Sequence, residues 1–150
     1  MSVIQVLLVD DEERFLSTTK ILLEKRGVTV FTAISGVEAL KVLEEKRIDI
    51  VILDVKMPGM DGVETLRKIK QRFPLLEVIM LTGHASVESA VEGLKLGAFD
   101  YVMKPCDVPD MLEKIKEAYA KKQAVEDKIR KAKVNNIISH PIAVFDKSEE

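Results

Sequence analysis

The sequence predicts an α/β fold: a five-stranded parallel sheet, strand order 2-1-3-4-5, doubly wound with five helices, the last of them extended. Three observations predict it. Short, nearly all-apolar runs recur along the chain, as parallel strands buried on both faces require. Each run is followed by a segment with helical spacing of its apolar residues. One run, Ile50-Val51-Ile52-Leu53, finishes on Asp54, a costly place for an acid unless it meets a cation, a donor or solvent.

The elements follow in order. Val3 to Val9 reads as the first strand and runs into Asp10-Asp11-Glu12-Glu13. A helix follows on Phe15, Leu16, Thr19, Leu22 and Leu23, with Gly27 suited to its C-terminal cap. Val28 to Ala33 is the second strand. Ser35, with Glu38 three residues on, is a capping-box signature for a helix to about Arg47. Ile48 to Val55 is the third strand, and Pro58-Gly59 and Asp61-Gly62 are turn signals. A helix spans about Val63 to Phe73, stopped by Pro74. Glu77 to Leu81 is the fourth strand, closed by Thr82-Gly83-His84. Ser86 opens a helix that ends near Leu96, with Gly97 as cap. Phe99 to Met103 is the fifth strand, followed by Lys104-Pro105-Cys106-Asp107. A last helix starts near Pro109 and reaches about Lys133.

The bulk properties set outer bounds. A chain of 150 residues makes one domain with some length left for a tail. The expected division is a domain over 1–120, an extension of the last helix over 121–133 and an irregular C-terminal tail over 134–150. A net charge of -2 offers no basic field for nucleic acid. The single Cys106 rules out an internal disulfide and fits a cytoplasmic chain. No apolar run reaches the ~18 residues of a membrane span, and the N-terminal run lacks the basic flank of a signal.

Chemistry converges at one sheet edge. Ligands of doubly wound sheets sit beyond the carboxyl ends of the strands, where the strand order reverses. With order 2-1-3-4-5 that point lies between strands one and three, which end on Asp10-Asp11 and on Asp54. Strand four brings Thr82 to the same edge and strand five brings Lys104. Carboxylates this close repel, so they take up protons or bind a cation. An all-oxygen set suits Mg²⁺, and no Cys/His cluster for zinc lies nearby. A carboxylate can act as a nucleophile in phosphoryl transfer.

Asp10-Asp11, Asp54 followed by Met57-Pro58-Gly59-Met60-Asp61-Gly62, Thr82-Gly83 and Lys104-Pro105 together resemble the receiver domain of two-component response regulators (CheY-like, flavodoxin-like in fold). The resemblance covers roughly residues 3 to 120. It is closest to receivers of nitrogen-regulatory-type transcription activators, through Leu81 to Glu88 and Lys104-Pro105-Cys106. It implies that Asp54 accepts a phosphoryl group from the phosphohistidine of a sensor kinase or phosphotransfer protein. It implies direct Mg²⁺ ligation by Asp11, Asp54 and the Lys56 backbone carbonyl, with Asp10 acting mainly through metal-bound water. Thr82 would hydrogen-bond the phosphoryl oxygen and Lys104 would pair with it. Tyr101 would be the aromatic switch, and the Lys104–Pro105 bond is often cis in such proteins. Such a chain catalyses only its own phosphorylation and dephosphorylation and is otherwise no enzyme.

Other residues take plainer readings. Glu12 and Glu13 are acids favouring a helix start. Asp61 is a turn residue or N-cap. His84 is an exposed loop histidine, and His140 has no assigned role. Cys106 is structural. Lys56 lies beside the expected path of an attacking water and can alter phosphate lifetime.

The last helix carries a heptad seam of Val108, Met111, Ile115, Ala118, Lys122, Val125, Ile129 and Ala132, broken only at Lys122. Beyond about Tyr119 it has no sheet left to cover, which leaves two readings, a solvated, fraying extension or a homodimer seam, with the seam favoured slightly. Residues 121–133 carry six basic residues against Glu126 and Asp127, but no helix-turn-helix pattern or interleaved aromatics for nucleic acid. Three outputs follow: a stand-alone switch, the N-terminal part of a transcription regulator whose output domain is missing, or a Mg²⁺-dependent phosphatase, which would need multiple turnover. The polar run Asp146-Lys147-Ser148-Glu149-Glu150 leans toward a natural terminus.

Overall fold

A computed structural model describes residues 3–83 and 87–139. The elements run β1 (Gln5–Val9), α1 (Glu13–Glu24), β2 (Thr29–Ala33), α2 (Gly36–Glu45), β3 (Ile50–Asp54), α3 (Gly62–Arg72), β4 (Glu77–Thr82), α4 (Val87–Lys95), β5 (Asp100–Met103) and α5 (Val108–Ser139). One sheet holds all five strands in the order β2-β1-β3-β4-β5, every pair parallel. The expected fold class and strand order are both borne out.

Alternation along the strands divides the core in two. Leu7 and Val9 of β1, Val51 and Leu53 of β3 and Met80 of β4 face α2, α3 and α4, where Leu40, Leu66, Ile69 and Ala90 meet them. Val6, Leu8, Ile50, Ile52 and Leu81 face α1 and α5, against Leu16, Leu23, Met111 and Ile115. The three central strands β1, β3 and β4 are buried nearly throughout, which is why their sequences read as apolar runs.

Local signals fix the helix ends. Ser35 Oγ accepts the Glu38 N–H at 3.1 Å at the start of α2, as the capping signature requires. Gly27 and Gly97 follow α1 and α4 with φ of 93° and 109°, a region costly for any side chain. Several strands begin later than their apolar runs: β1 at Gln5 and β3 at Ile50, because the ladder pairs start at Gln5 with Thr29 and at Ile50 with Val6.

The expected boundary at Lys133 is corrected. Helix α5 continues to Ser139, because the sequence holds no Gly or Pro there and Pro141 is the first residue that opposes a helix. His84, Ser86 and residues 140–150, including His140, lie outside the described residues. No described helix is long and apolar enough to cross a membrane.

Candidate functional site

The carboxyl edge of the sheet brings together the residues that the sequence nominated. β3 ends on Asp54, and β1 is followed at once by Asp10 and Asp11. One carboxylate oxygen from each of Asp10, Asp11 and Asp54 lies within 4.8 Å of the others. Asp10 is fully buried and Asp54 is 7% exposed, whereas Asp11 is open to solvent. Asp10 is held by its own turn, its Oδ1 accepting the Glu12 N–H at 2.9 Å.

Lys104, just past β5, supplies the cation. Its Nζ lies 2.6 Å from Asp10 Oδ2, which has no other polar partner among the described residues, and 4.0 Å from Asp54 Oδ1. Its backbone N–H donates to Thr82 O at 2.7 Å, tying the end of β5 to the end of β4. The Lys104–Pro105 peptide is cis. Burial works to lower the ammonium's pKa, but the contact with Asp10 and the charges of Asp54, Asp10 and Glu12 outweigh it and hold it above the usual value.

Asp54 is the acid left short of compensation. Its pKa stands at about 6 against an ordinary 3.8. Burial is the main cause, the charges of Asp10 and Asp11 add to it, and Lys104 and a Lys56 backbone hydrogen bond oppose it. An all-oxygen cluster with surplus negative charge and one solvated face fits a hard divalent cation such as Mg²⁺.

The turn after Asp54 is packed closely. Gly62 N–H donates to Val55 O at 2.9 Å, and a Cβ on Gly62 would fall 2.3 Å from Asp54 O. Only glycine permits that approach. Asp61 N-caps α3, its Oδ1 accepting the Glu64 N–H at 2.9 Å, as expected of a capping acid. Exposed Lys56 lines an open cleft of about 470 Å³ with Asp11, Met57, Pro58 and Ser89.

Thr82 closes β4, buried, with its hydroxyl donating to Gly83 O at 3.0 Å. Tyr101 is half-buried against the core on the α2–α4 side of the sheet. Two neighbours of Lys104 were not singled out by the sequence. Glu12, read as a helix-start acid, is the N-cap residue of α1 without a capping bond, and its Oε1 lies 3.4 Å from Lys104 Nζ. The Phe15 ring stands 4.7 Å from the same ammonium. Phe15 read as one apolar helix position among several, and a separation of 92 residues between Glu12 and Lys104 hides their contact from local pattern.

The sequence profile of the response regulator receiver domain matches residues 6–116. The chain is 41% identical over 120 residues to a putative NtrX-like response regulator of Rickettsia bellii, covering 79% of this chain and 25% of that protein. It is 41% identical over 117 residues to the transcriptional regulatory protein ZraR of Salmonella typhimurium, covering 78% and 26%. Among solved structures, a response regulator receiver domain protein from Clostridium thermocellum superposes with a TM-score of 0.79 at 39% identity, covering 82% of this chain and 99% of the other. These likenesses bear out the resemblance drawn from the sequence, including its leaning toward nitrogen-regulatory-type activators. The chain spans about a quarter of the length of the curated relatives it matches.

Proposed function

Since the chain belongs to the response regulator receiver domain family, we propose that it is a phosphorylation switch whose acceptor is Asp54. The observation that carries this reading is the meeting of the Asp10, Asp11 and Asp54 oxygens within 4.8 Å, with Lys104 4.0 Å from Asp54. An Asp54 oxygen attacks the phosphorus of a phosphohistidine on a sensor kinase or phosphotransfer protein. The P–N bond breaks, the imidazole leaves with the electron pair, and Asp54 becomes an acyl phosphate. Asp11, Asp54 and the Lys56 carbonyl would hold Mg²⁺ directly, and Asp10 through water. A Mg²⁺ ion held by these residues would supply charge neutralisation for the transferring group.

This chain's own residues do the rest. Lys104, engaged with Asp10 at rest, swings to the phosphoryl oxygens. Thr82 turns its hydroxyl from Gly83 O toward the same group. That movement frees space beside half-buried Tyr101, and the face built by α4, β5 and α5 changes. Phosphorylation biases two conformations by no more than the difference in these contacts. The chain acts on itself and turns over no external substrate, within a cytoplasmic two-component pathway.

The receiver unit occupies residues 1–120, and α5 beyond it links to a partner. In the seam of α5 beyond Lys122, Ile129 is 38% exposed, an uncovered apolar position that supports a homodimer along the end of this helix. Light scattering of the full chain tests that part: a dimer mass that falls in Ile129→Glu is expected, and a monomer mass with and without phosphorylation contradicts it. The switch itself is tested by intact mass after incubation with acetyl phosphate and Mg²⁺. One hydroxylamine-sensitive phosphoryl group is expected on the native chain and none on Asp54→Asn. Equal labelling of both sinks the assignment.

A further inference from the structure

The amino edge of the sheet carries a second charged constellation, at the end opposite Asp54. Asp49 and Glu77 stand at the starts of the neighbouring strands β3 and β4, and Ile50 pairs with Glu77 in the ladder. Both acids are buried, at 2% and 5% exposure. Asp49 Oδ2 accepts the Gln5 N–H at 2.8 Å. Asp49 Oδ1 and Glu77 Oε1 accept no hydrogen bond among the described residues. Each instead faces an ammonium from α5: Lys122 Nζ is 3.5 Å from Asp49 Oδ1, and Lys121 Nζ is 3.5 Å from Glu77 Oε1.

The surroundings reinforce the pairs. Lys122 also meets Glu126 one turn further along α5, and its side chain is only 15% exposed. Lys121 is the more exposed of the two lysines, at 51%, and lies 5.6 Å from the centre of the Phe99 ring. Arg47 approaches Asp49 Oδ1 only to 3.9 Å from an exposed position. Lys70, the other cation near Glu77, is committed to the Leu76 carbonyl at 2.8 Å. A buried carboxylate oxygen without a hydrogen bond holds its counter-cation firmly, since losing it leaves an uncompensated charge.

We propose that Lys121 and Lys122 form a joint that fixes the direction in which α5 leaves the receiver. Met111, Leu112, Ile115 and Ala118 seat the first half of α5 on the sheet, and the two lysines hold the turn just beyond that packed half. Two successive residues project about 100° apart around the axis. Each grips a different strand, so roll and tilt are both set. The joint also explains why the heptad seam breaks at Lys122: that position faces Asp49, not a partner helix. The extension then moves with the receiver as one lever. This inference rests on the amino edge alone and stands or falls independently of phosphorylation at Asp54.

Spin labels at Glu45→Cys and Lys131→Cys in a Cys106→Ser background test it, by double electron–electron resonance on full-length chain diluted with unlabelled protein. A single narrow distance is expected. Lys121→Met with Lys122→Met should broaden it severalfold while circular dichroism keeps its helical signal, and Lys121→Arg with Lys122→Arg should restore the narrow distance. An unchanged distribution in the methionine variant overturns the joint. Loss of helical signal overturns it too, since the lysines would then only hold the helix together. As a second readout, Lys122→Met should shift the folding equilibrium about tenfold less when Asp49 is already Asn; equal shifts in both backgrounds contradict the pairing.

Discussion

The two ends of the sheet use the same ingredient, an acid at a strand terminus, to opposite ends. At the amino edge Asp49 and Glu77 each face a lysine of α5 at 3.5 Å. At the carboxyl edge three acids share Lys104, which sits on Asp10 and leaves Asp54 4.0 Å away. The balanced end anchors a helix. The unbalanced end raises the pKa of Asp54 to about 6, and its three acids fit a hard divalent cation. Asp10 and Asp54 are buried similarly to Asp49 and Glu77, and what differs is how many cations face them.

The largest effect should come from breaking the packing that holds the unbalanced edge. A Cβ on Gly62 would stand 2.3 Å from Asp54 O and 2.7 Å from Val55 Cα, both backbone atoms that cannot yield cheaply. Gly62→Ala should therefore lose about 3 kcal/mol in urea denaturation. At Gly83, beside Thr82, a Cβ would meet nothing within 4 Å, so Gly83→Ala should change stability by less than about 1 kcal/mol.

Next in size is the charge of Asp54 itself. Its folded pKa lies above the unfolded value, so the folded state binds the extra proton. The contribution of Asp54 should favour the metal-free fold most below about pH 4 and be lost as pH rises through about 6, by up to about 3 kcal/mol. Asp54→Asn should remove that slope and stabilise the metal-free chain at neutral pH. Chemical denaturation of both proteins across this range checks it. A slope that persists in the variant would mean that another group carries it.

The smallest effect separates Asp61 from the cluster that it adjoins in sequence. Asp61→Ala should cost about 1 kcal/mol through the lost cap of α3. It should leave the titration of Asp54 where it is.

Much of this was legible in the sequence, for identifiable reasons. Apolar runs alternating with helical spacing fix element type, and the strand order fixes which loops meet, so Asp10, Asp11, Asp54, Thr82 and Lys104 could be brought together from residues alone. The role of Lys122 could not be read this way. A lysine in a heptad seam looks like a defect until the buried Asp49 is seen across from it. Glu12 and Phe15 were hidden for a related reason: their partner Lys104 is far along the chain, and each fits its helix without it. The length of α5 was underestimated because Asn135 and Asn136 suggest a loop but do not forbid a helix.

The carboxyl edge holds an under-compensated carboxylate, Asp54, in a cluster that fits a divalent cation. Carboxyl-carbon NMR of Asp54 in the metal-free protein tests it most directly. The midpoint should fall near 6 and move down when Mg²⁺ is added, because the ion favours the charged form. A midpoint in the ordinary carboxylate range near 4, unmoved by Mg²⁺, would contradict the account.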